Sequence, residues 1–235
     1  MRVTVILPTA GLGTRMGRSR KQFMQLNGSP IFLCTVRKFV ASDRVTDVII
    51  AVRPEDKPWV EEIVGAEKFA KPVRVVEGGD SRQQSVENGL AAVDPATDLV
   101  AVHDAVRPFI DAGAIARVID EAALSGAAIV GIVPVDTVKQ VGKMHGDKAK
   151  IRATIPRDHL VMAQTPQVFR YELLKRAFEQ ARADGFTGTD EASLVERLDE
   201  VEVSVVLGSD RNLKITKPAD MELAQLLAQQ ENARP

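Results

Sequence analysis

Residues 8–21, PTAGLGTRMGRSRK, combine two closely spaced glycines with four cations. Glycine lets backbone N–H groups approach a phosphate without a clash from a Cβ atom. A glycine turn that only reverses the chain leaves this concentration of positive charge unexplained. The segment therefore predicts a phosphate-binding loop, with a basic side chain placed to act on the phosphate. The cations are Arg15, Arg18, Arg20 and Lys21.

Two other phosphate-binding patterns fit this loop less well. A P-loop ends in GK[ST], and that ending does not follow Gly11 or Gly13 at the required distance. A dinucleotide-binding fingerprint requires a third glycine, and the chain has Met16 at that position. The favoured prediction is a loop whose backbone wraps a nucleoside triphosphate, with Arg15 and Lys21 adding charge at the phosphate that reacts.

A second polar segment follows the predicted strand of residues 73–76. Gly78 and Gly79 free the backbone there for close approach to a flat ligand, and Ser85 lies just over one turn into the helix that follows. The alternative is an ordinary turn in which Asp80 or Ser81 caps the helix. The residues by themselves leave both interpretations open.

Two more charged residues are candidates for a site. Asp104 follows a buried strand, at the edge where ligands of parallel sheets bind, and a carboxylate there can hold Mg²⁺. Its alternative roles are capping and pairing with Arg107. Lys214 alternates with two apolar neighbours, so its ammonium faces away from them, although a protective lysine on an edge strand shows the same pattern. His103 is predicted to be structural, because it faces away from Asp104.

The elements that position these groups alternate between strand and helix. Helical spacing covers residues 31–41, 82–93 and 111–124. This alternation predicts an α/β fold with a doubly wound, mostly parallel sheet. Short β-branched runs, typical of buried parallel strands, occupy residues 2–7, 46–52, 73–76, 98–102 and 127–133.

The alternation lapses after Pro134. A turn around HGDK predicts a hairpin, which we interpret as a protruding arm at about 136–158 within a single domain spanning residues 1–235. The sheet pattern then resumes. Its predicted elements are a segment at 159–169, helices near 171–183 and 190–198, strands at 201–207 and 212–216, and a last helix from about Ala219.

Composition limits the class of protein. The chain has 235 residues with 45% hydrophobic side chains, one cysteine and three scattered histidines, so we expect a globular protein without disulfides or a cysteine zinc site. No apolar run is long enough to span a membrane, so a cytoplasmic location is expected. The net charge of −1 argues against a general nucleic-acid partner. Positive charge is concentrated before residue 43, where no Asp or Glu occurs, as expected for an anionic ligand.

The loop of residues 8–23 resembles that of the nucleoside-triphosphate sugar-phosphate transferases, and the whole chain is similar to the 2-C-methyl-D-erythritol 4-phosphate cytidylyltransferase family. The resemblance runs from near residue 3 to about residue 228. It implies transfer of a cytidylyl group from CTP to a polyol phosphate, with Mg²⁺. The matching segments, in chain order, are PTAGLGTRMGRSRKQF (8–23), GGDSRQQSV (78–86), VHDAVRPF (102–109), DTVK (136–139), TPQVF (165–169), TDEAS (189–193) and NLKIT (212–216).

The resemblance also assigns roles to residues. It places Arg15, Lys21 and Lys214 at the reacting phosphates as catalytic charges, and Asp104 beside both Mg²⁺ and the acceptor. It implies that the arm clasps a second subunit to form a homodimer, in which Thr137 and Arg157 close the partner's acceptor site. The CTP-binding residues are Thr9, Ala10, Gly11, Gly13, Gly79, Asp80 and Ser85. The acceptor-binding residues are Asp104, Arg107, Thr137, Arg157, Thr165 and Thr189.

Two positions depart from the family pattern, since Thr9 and Val106 stand where alanine is usual. Neither change removes a charged group, but Thr9 adds a hydroxyl near the base or ribose. Two other functions stay open at this point. One is a cytidylyltransferase of the same fold that acts on ribitol 5-phosphate, and the other is a CTP-binding module without catalysis. The intact set of charged residues argues against the binding module.

Overall fold

The apolar runs of the sequence form the strands of a single large sheet in the computed structural model, which describes residues 1–11 and 20–232. The strands of this sheet are β1 (Val3–Pro8), β4 (Asp47–Val52), β5 (Val73–Glu77), β6 (Leu99–Val102), β7 (Ala127–Ile132), β10 (Met162–Arg170) and β11 (Ser204–Leu207). They are adjacent in the order β11-β7-β10-β6-β1-β4-β5. Only β10 runs antiparallel to its neighbours among these strands. The predicted mostly parallel sheet is confirmed.

Helices cover both faces of the sheet, as strands that alternate with amphipathic helices require. Side chains of β1 alternate between the two layers. Val5 and Leu7 pack with the helices of residues 31–40, 57–66 and 112–125, whereas Ile6 packs with those of residues 82–91, 171–183 and 191–196. The helices are α1 (Ile31–Val40), α2 (Lys57–Ala66), α3 (Arg82–Ala91), α4 (Ala112–Ser125), α5 (Tyr171–Ala183), α6 (Glu191–Glu196) and α7 (Pro218–Asn232).

A third apolar cluster lies outside the two layers. The strands β2 (Gln25–Leu26) and β3 (Ser29–Pro30) form a tight hairpin, in which Asn27 and Gly28 adopt φ angles of 49° and 78°. Helix α7 packs against this hairpin through Met221, Ala224, Leu227 and Ala228. Ile215 is fully buried in the same cluster. The last helix therefore packs beneath the segment that carries Lys214.

The predicted arm contains the hairpin that HGDK suggested. Strands β8 (Val138–Val141) and β9 (Ile151–Ile155) pair antiparallel and form a small sheet separate from the main one. An isolated bridge joins His145 to Lys148 at the turn. Most side chains of this arm are exposed, including that of Ile151 at 64%. Nothing in the described part of the chain buries the arm's outer surface.

One prediction about the elements was wrong, and one helix was missed. Residues 212–216 do not form a strand; this segment is irregular, because the Asn212 side chain and the Ile215 N–H bond to other parts of the chain instead of to a sheet edge. Helix α2 was not predicted, although Val60 and Val64 are buried at helical spacing and Pro58 lies in its first turn. Among residues 1–11 and 20–232, we find no helix of the length and apolarity needed to cross a membrane.

Candidate active site

The cleft at the carboxyl ends of β1 and β6 brings together three of the predicted charged residues, Lys21, Asp104 and Lys214. Parallel strands bring their carboxyl ends to one edge of the sheet, and ligands of such sheets bind there. The segment that follows β1 supplies one wall, and Asp104, two residues beyond β6, lies at the base. The residues that line the cleft are Pro8, Thr9, Ala10, Gly11, Lys21, Gln22, Arg82, Ser85, Asp104, Ala105, Val106 and Lys214.

Asp104 is a buried carboxylate surrounded by three cations from three parts of the chain. Its Oδ1 accepts a hydrogen bond from Arg82 Nε at 3.1 Å. Its Oδ2 lies 2.8 Å from Lys214 Nζ and 3.5 Å from Arg107 Nε. Burial opposes ionisation of this carboxyl group, but the charges of the three cations outweigh burial and hold the pKa of Asp104 well below its usual range. Asp104 is therefore ionised, and the cleft carries an excess of positive charge.

Arg82, which the sequence did not single out, connects Asp104 to a second buried carboxylate. Its Nη1 and Nη2 donate to the two oxygens of Glu191 at 2.6 and 2.9 Å. Glu191 is 1% exposed and begins α6, whose start is fixed by a capping box between Asp190 and Ser193. The pKa of Glu191 is raised by burial, against the opposing effect of the Arg82 charge. The bidentate pair fixes the plane of the Arg82 guanidinium.

Two side chains hold the backbone of residues 9–11, the first part of the glycine loop. Gln22 Nε2 donates to the carbonyl oxygens of Thr9 and Gly11 at 2.8 and 3.0 Å, and Arg53 Nε donates to that of Ala10 at 3.0 Å. In a trans peptide the N–H points opposite to the preceding carbonyl, so the bonds to the Thr9 and Ala10 carbonyls also fix the directions of the Ala10 and Gly11 N–H groups. The Thr9 hydroxyl donates to the Leu7 carbonyl, so it is engaged within the loop.

The second part of the glycine loop contains two of the predicted site residues. Gly13 and Arg15 fall within residues 12–19, which lie outside the described residues. Lys21 follows that segment in a single 3₁₀ turn, Lys21–Phe23, and lines the cleft together with Lys214. Two of the three predicted catalytic cations are therefore brought together with Asp104.

The second glycine segment approaches the first one closely. A Cβ atom on Gly78 would lie 2.8 Å from the Cβ of Ala10, so only glycine permits this contact without a shift of the backbone. Ser81 is the N-cap of α3, one of the two residues for which the sequence offered this role. The Ser85 hydroxyl donates to the Ser81 carbonyl at 2.7 Å and accepts from the Gly79 N–H at 3.1 Å. Ser85 thus holds the Gly79–Asp80 backbone in place beside Ala10.

A buried hydrogen-bond network supports the cleft from below. Thr165 Oγ1 accepts from the Asp104 N–H at 3.0 Å and bonds to His103 Nδ1 at 3.1 Å. Asn212 Nδ2 donates to the backbone carbonyl of Thr165. The backbone carbonyl of Asn212 in turn accepts a hydrogen bond from Arg107 Nη1 at 2.7 Å. Complete burial lowers the pKa of His103 to about 4, so the imidazole is neutral near pH 7. His103 has the structural role that the sequence predicted. Thr165 holds Asp104 by accepting a hydrogen bond from the backbone N–H of Asp104.

Three predicted acceptor residues lie apart from these charges. Thr137 and Arg157 are exposed on the arm, where Arg157 Nη1 donates to the Val135 carbonyl. Thr189 is exposed and precedes the N-cap Asp190. None of the three lines the cleft.

The sequence contained weak signals for the residues that were missed. Arg82 and Glu191 stand inside two of the quoted segments, GGDSRQQSV and TDEAS, but they are 109 positions apart and nothing in either segment predicts their pairing. Gln22 directly follows the predicted Lys21, and Asn212 opens NLKIT. Membership of these segments is the only signal that could have found them.

Comparison with known proteins places the chain among enzymes. Residues 3–230 match the family model described as 2-C-methyl-D-erythritol 4-phosphate cytidylyltransferase. Proteins with this name from Solibacter usitatus and Acidobacterium capsulatum are 63% and 54% identical to the chain. The alignments cover 100% of the chain in both cases, and 98% and 100% of the relatives.

Solved structures agree with the sequence comparison. A 4-diphosphocytidyl-2C-methyl-D-erythritol synthase from Anaerococcus prevotii superposes with a TM-score of 0.84 at 30% identity, covering 97% of this chain and 96% of the other. The 2-C-methyl-D-erythritol 4-phosphate cytidylyltransferase from Thermus thermophilus gives a TM-score of 0.80 at 34% identity, covering 97% of this chain and 100% of the other. The chain therefore belongs to the 2-C-methyl-D-erythritol 4-phosphate cytidylyltransferase family and is a nucleotidyltransferase.

Proposed function

We propose that this protein transfers the cytidylyl group of CTP to 2-C-methyl-D-erythritol 4-phosphate, forming 4-diphosphocytidyl-2-C-methyl-D-erythritol and pyrophosphate. The observation that carries the proposal is the meeting of Lys21, Lys214 and Asp104 in one cleft at the carboxyl edge of the sheet. We place the reaction in the cytoplasm, where a chain with a single cysteine needs no disulfide.

The reaction needs charge and position more than a protein nucleophile. A phosphate oxygen of the acceptor attacks the α-phosphorus of CTP in line, a new P–O bond forms, and the bond to the β-phosphate oxygen breaks. Both reactants are anions, so the enzyme must hold two repelling groups together and stabilise charge on the transition state. Arg15, Lys21 and Lys214 supply that countercharge in this proposal.

The cytosine base is proposed to bind between the two glycine segments. In this proposal, backbone groups of Ala10, Gly79 and Asp80 bind the edge of the base. The close approach of Gly78 to Ala10 narrows the pocket and so limits the space available to a purine. Thr9, Gly11 and Gly13 shape the loop that wraps the triphosphate, and Ser85 braces the opposite wall. Because the Thr9 hydroxyl is engaged with Leu7, its contribution to CTP binding is through the backbone.

Asp104 is the proposed contact for the acceptor and for Mg²⁺. Within the described residues no group of three or more His, Cys, Asp or Glu could hold a metal ion, and Asp104 is the one acidic side chain in the lining of the cleft. The nucleotide phosphates would therefore complete the coordination of the ion. A hard oxygen donor of this kind suits Mg²⁺, which when bound neutralises charge on the phosphates. Arg107, Thr165 and Thr189 are the further residues assigned to the acceptor side.

A homodimer completes the site in this proposal. The arm exposes large apolar side chains, with Ile151 at 64% and Met144 at 54%, which is costly for a surface that stays in water. We propose that a second copy of the chain covers them. In that arrangement Thr137 and Arg157 reach the partner's acceptor site, where a guanidinium can hold a phosphate in a bidentate fork.

The test is release of pyrophosphate, measured with a coupled assay. CTP, UTP, ATP and GTP are each supplied with 2-C-methyl-D-erythritol 4-phosphate or with ribitol 5-phosphate, in the presence of Mg²⁺. We expect release with CTP and the erythritol phosphate. A preference for ribitol 5-phosphate would show that this compound is the acceptor and not the erythritol phosphate. CTP binding without release of pyrophosphate with either acceptor would overturn the proposal in favour of a binding module.

A further inference from the structure

Arg82 and Glu191 form a pair that the mechanism above does not use. Arg82 occupies the first turn of α3 and Glu191 the first turn of α6, and the two helices pack on the same face of the sheet. All three nitrogens of the Arg82 guanidinium donate hydrogen bonds, two to Glu191 and one to Asp104. The pair therefore fixes one side of the Asp104 carboxylate to two helices.

The burial of Glu191 makes this arrangement rigid. A carboxylate that is 1% exposed needs both oxygens satisfied, because an unpaired buried charge is strongly destabilising. Arg82 supplies both of those hydrogen bonds. Its guanidinium cannot turn away from Asp104 without leaving Glu191 unpaired, so the contact between Arg82 and Asp104 is held in place from behind.

The two oxygens of Asp104 are held differently. Oδ1 accepts from the anchored Arg82 at 3.1 Å, whereas Oδ2 lies 2.8 Å from Lys214 Nζ. In the described part of the chain, Lys214 makes one ion pair, with Asp104, and its side chain is 38% exposed to the cleft. A lysine on a flexible stem can move to an incoming phosphate, and a clamped guanidinium cannot.

We propose that Arg82, clamped by Glu191, is a positioning residue that holds the Asp104 carboxylate toward the acceptor while Lys214 moves to the phosphates. This inference rests on the proposed function. When Lys214 leaves, Oδ2 becomes available to the substrate side of the cleft, and the bond between Arg82 and Oδ1 keeps the carboxylate from rotating. Arg107, at 3.5 Å from Oδ2, steadies the same group more weakly.

The main test replaces the whole pair, Arg82→Met with Glu191→Met. Exchange of a buried ion pair for apolar side chains of similar size leaves no unpaired charge, so the variant is expected to fold, which thermal unfolding will check. We expect kcat/KM for 2-C-methyl-D-erythritol 4-phosphate to fall about 100-fold, because a displacement of about 1 Å in the reacting geometry costs that much. The dissociation constant for CTP, measured by calorimetry without acceptor, should change little.

Two further variants separate positioning from general damage. Arg82→Lys keeps the charge but loses the fork, and it should recover part of the activity lost in the double variant. Arg182→Lys makes the same exchange in an exposed pair with Glu87, where the nitrogen and oxygen are 3.2 Å apart and the arginine is 69% exposed. This control should leave both kcat/KM and CTP binding unchanged.

A crystal structure of the double variant gives a readout that does not depend on turnover. A rotated or multiply oriented Asp104 carboxylate would support the proposal even if the unaltered protein used another acceptor, so the inference can be judged apart from the proposed function. An Asp104 carboxylate in its original position, or a folded double variant with unchanged kcat/KM for the erythritol phosphate, would overturn it.

Discussion

The cleft around Asp104 and the arm of β8 and β9 are organised in opposite ways. In the cleft, charged side chains from α3, α6, the end of β6 and the segment before α7 meet one another, and the two carboxylates among them are buried. In the arm, the strands pair only with each other within the described residues, and apolar side chains such as Ile151 and Met144 face water. One chain supplies the contacts of the cleft, whereas the apolar side chains of the arm stay exposed in a single chain.

The largest expected effect comes from removing a cation of the cleft. Lys214→Met should lower the rate of pyrophosphate release about 10²- to 10³-fold, as loss of one group that stabilises charge on the transition state does in other enzymes. The rate is measured under saturating CTP and acceptor. Lys217→Met, three positions along and exposed, is the control and should keep normal turnover. Normal turnover of Lys214→Met would remove this residue from the catalytic role.

A stability measurement sharpens the contrast between the two regions. Ile215 is fully buried beneath Lys214, and its replacement by alanine should lower the free energy of unfolding by about 2–5 kcal/mol. Ile151 on the arm is 64% exposed, so the same replacement should change that free energy by less than about 0.5 kcal/mol. Both are measured by denaturant titration at low protein concentration. Equal losses at the two positions would contradict the contrast.

The pH dependence of stability should report on the buried network below the cleft. Burial lowers the pKa of His103 to about 4, so the unfolded chain, with an ordinary histidine, binds a proton more readily than the folded one. Stability from this group is complete above about pH 6.5 and is lost as the pH falls toward 4, by up to about 3 kcal/mol. His103→Gln should flatten this part of the pH profile, and a profile as steep as that of the unaltered protein would contradict the assignment.

The arm can be tested by complementation between two variants. Arg157→Ala should lower activity about tenfold by loss of a phosphate contact, while Arg152→Ala on the neighbouring strand should not. A mixture of equal amounts of Arg157→Ala and Lys214→Met should regain about a quarter of the unaltered activity after subunit exchange, because about half of the dimers are then heterodimers and each heterodimer restores one of its two sites. A mixture no more active than its components would show that Arg157 does not act on the partner's site.

The sequence predicted the sheet well because its inner parallel strands β1, β4, β6 and β7 are buried on both faces. Such strands appear as short apolar runs, and those of β1, β4 and β6 were found close to their observed bounds. The segment of residues 212–216 shows the limit. Its alternation of Leu213, Lys214 and Ile215 is the same as that of a strand, but the pattern describes the faces of the chain and not the partner of its backbone.

The candidate site was predictable in its charges and not in their pairing. Position and type made Asp104 and Lys214 candidates, with capping and a protective edge-strand lysine as the alternatives, and the family resemblance then placed both residues in the site. The clamp between Arg82 and Glu191 depends on how two distant helices dock, which no local pattern encodes. The same reason explains why the sequence could not show that the Thr9 hydroxyl bonds to Leu7.

The position of α7 gives the carboxyl terminus a practical importance. Met221, Ala224 and Leu227 of this helix share one apolar cluster with Ile215 and Val106, and the Ile215 N–H bonds to the Val106 carbonyl at 3.0 Å. Val106 lies two residues after Asp104, and Ile215 directly follows Lys214. The final helix is thus a brace for both partners of an ion pair in the cleft, and trimming the protein within residues 218–232 would weaken the site from behind.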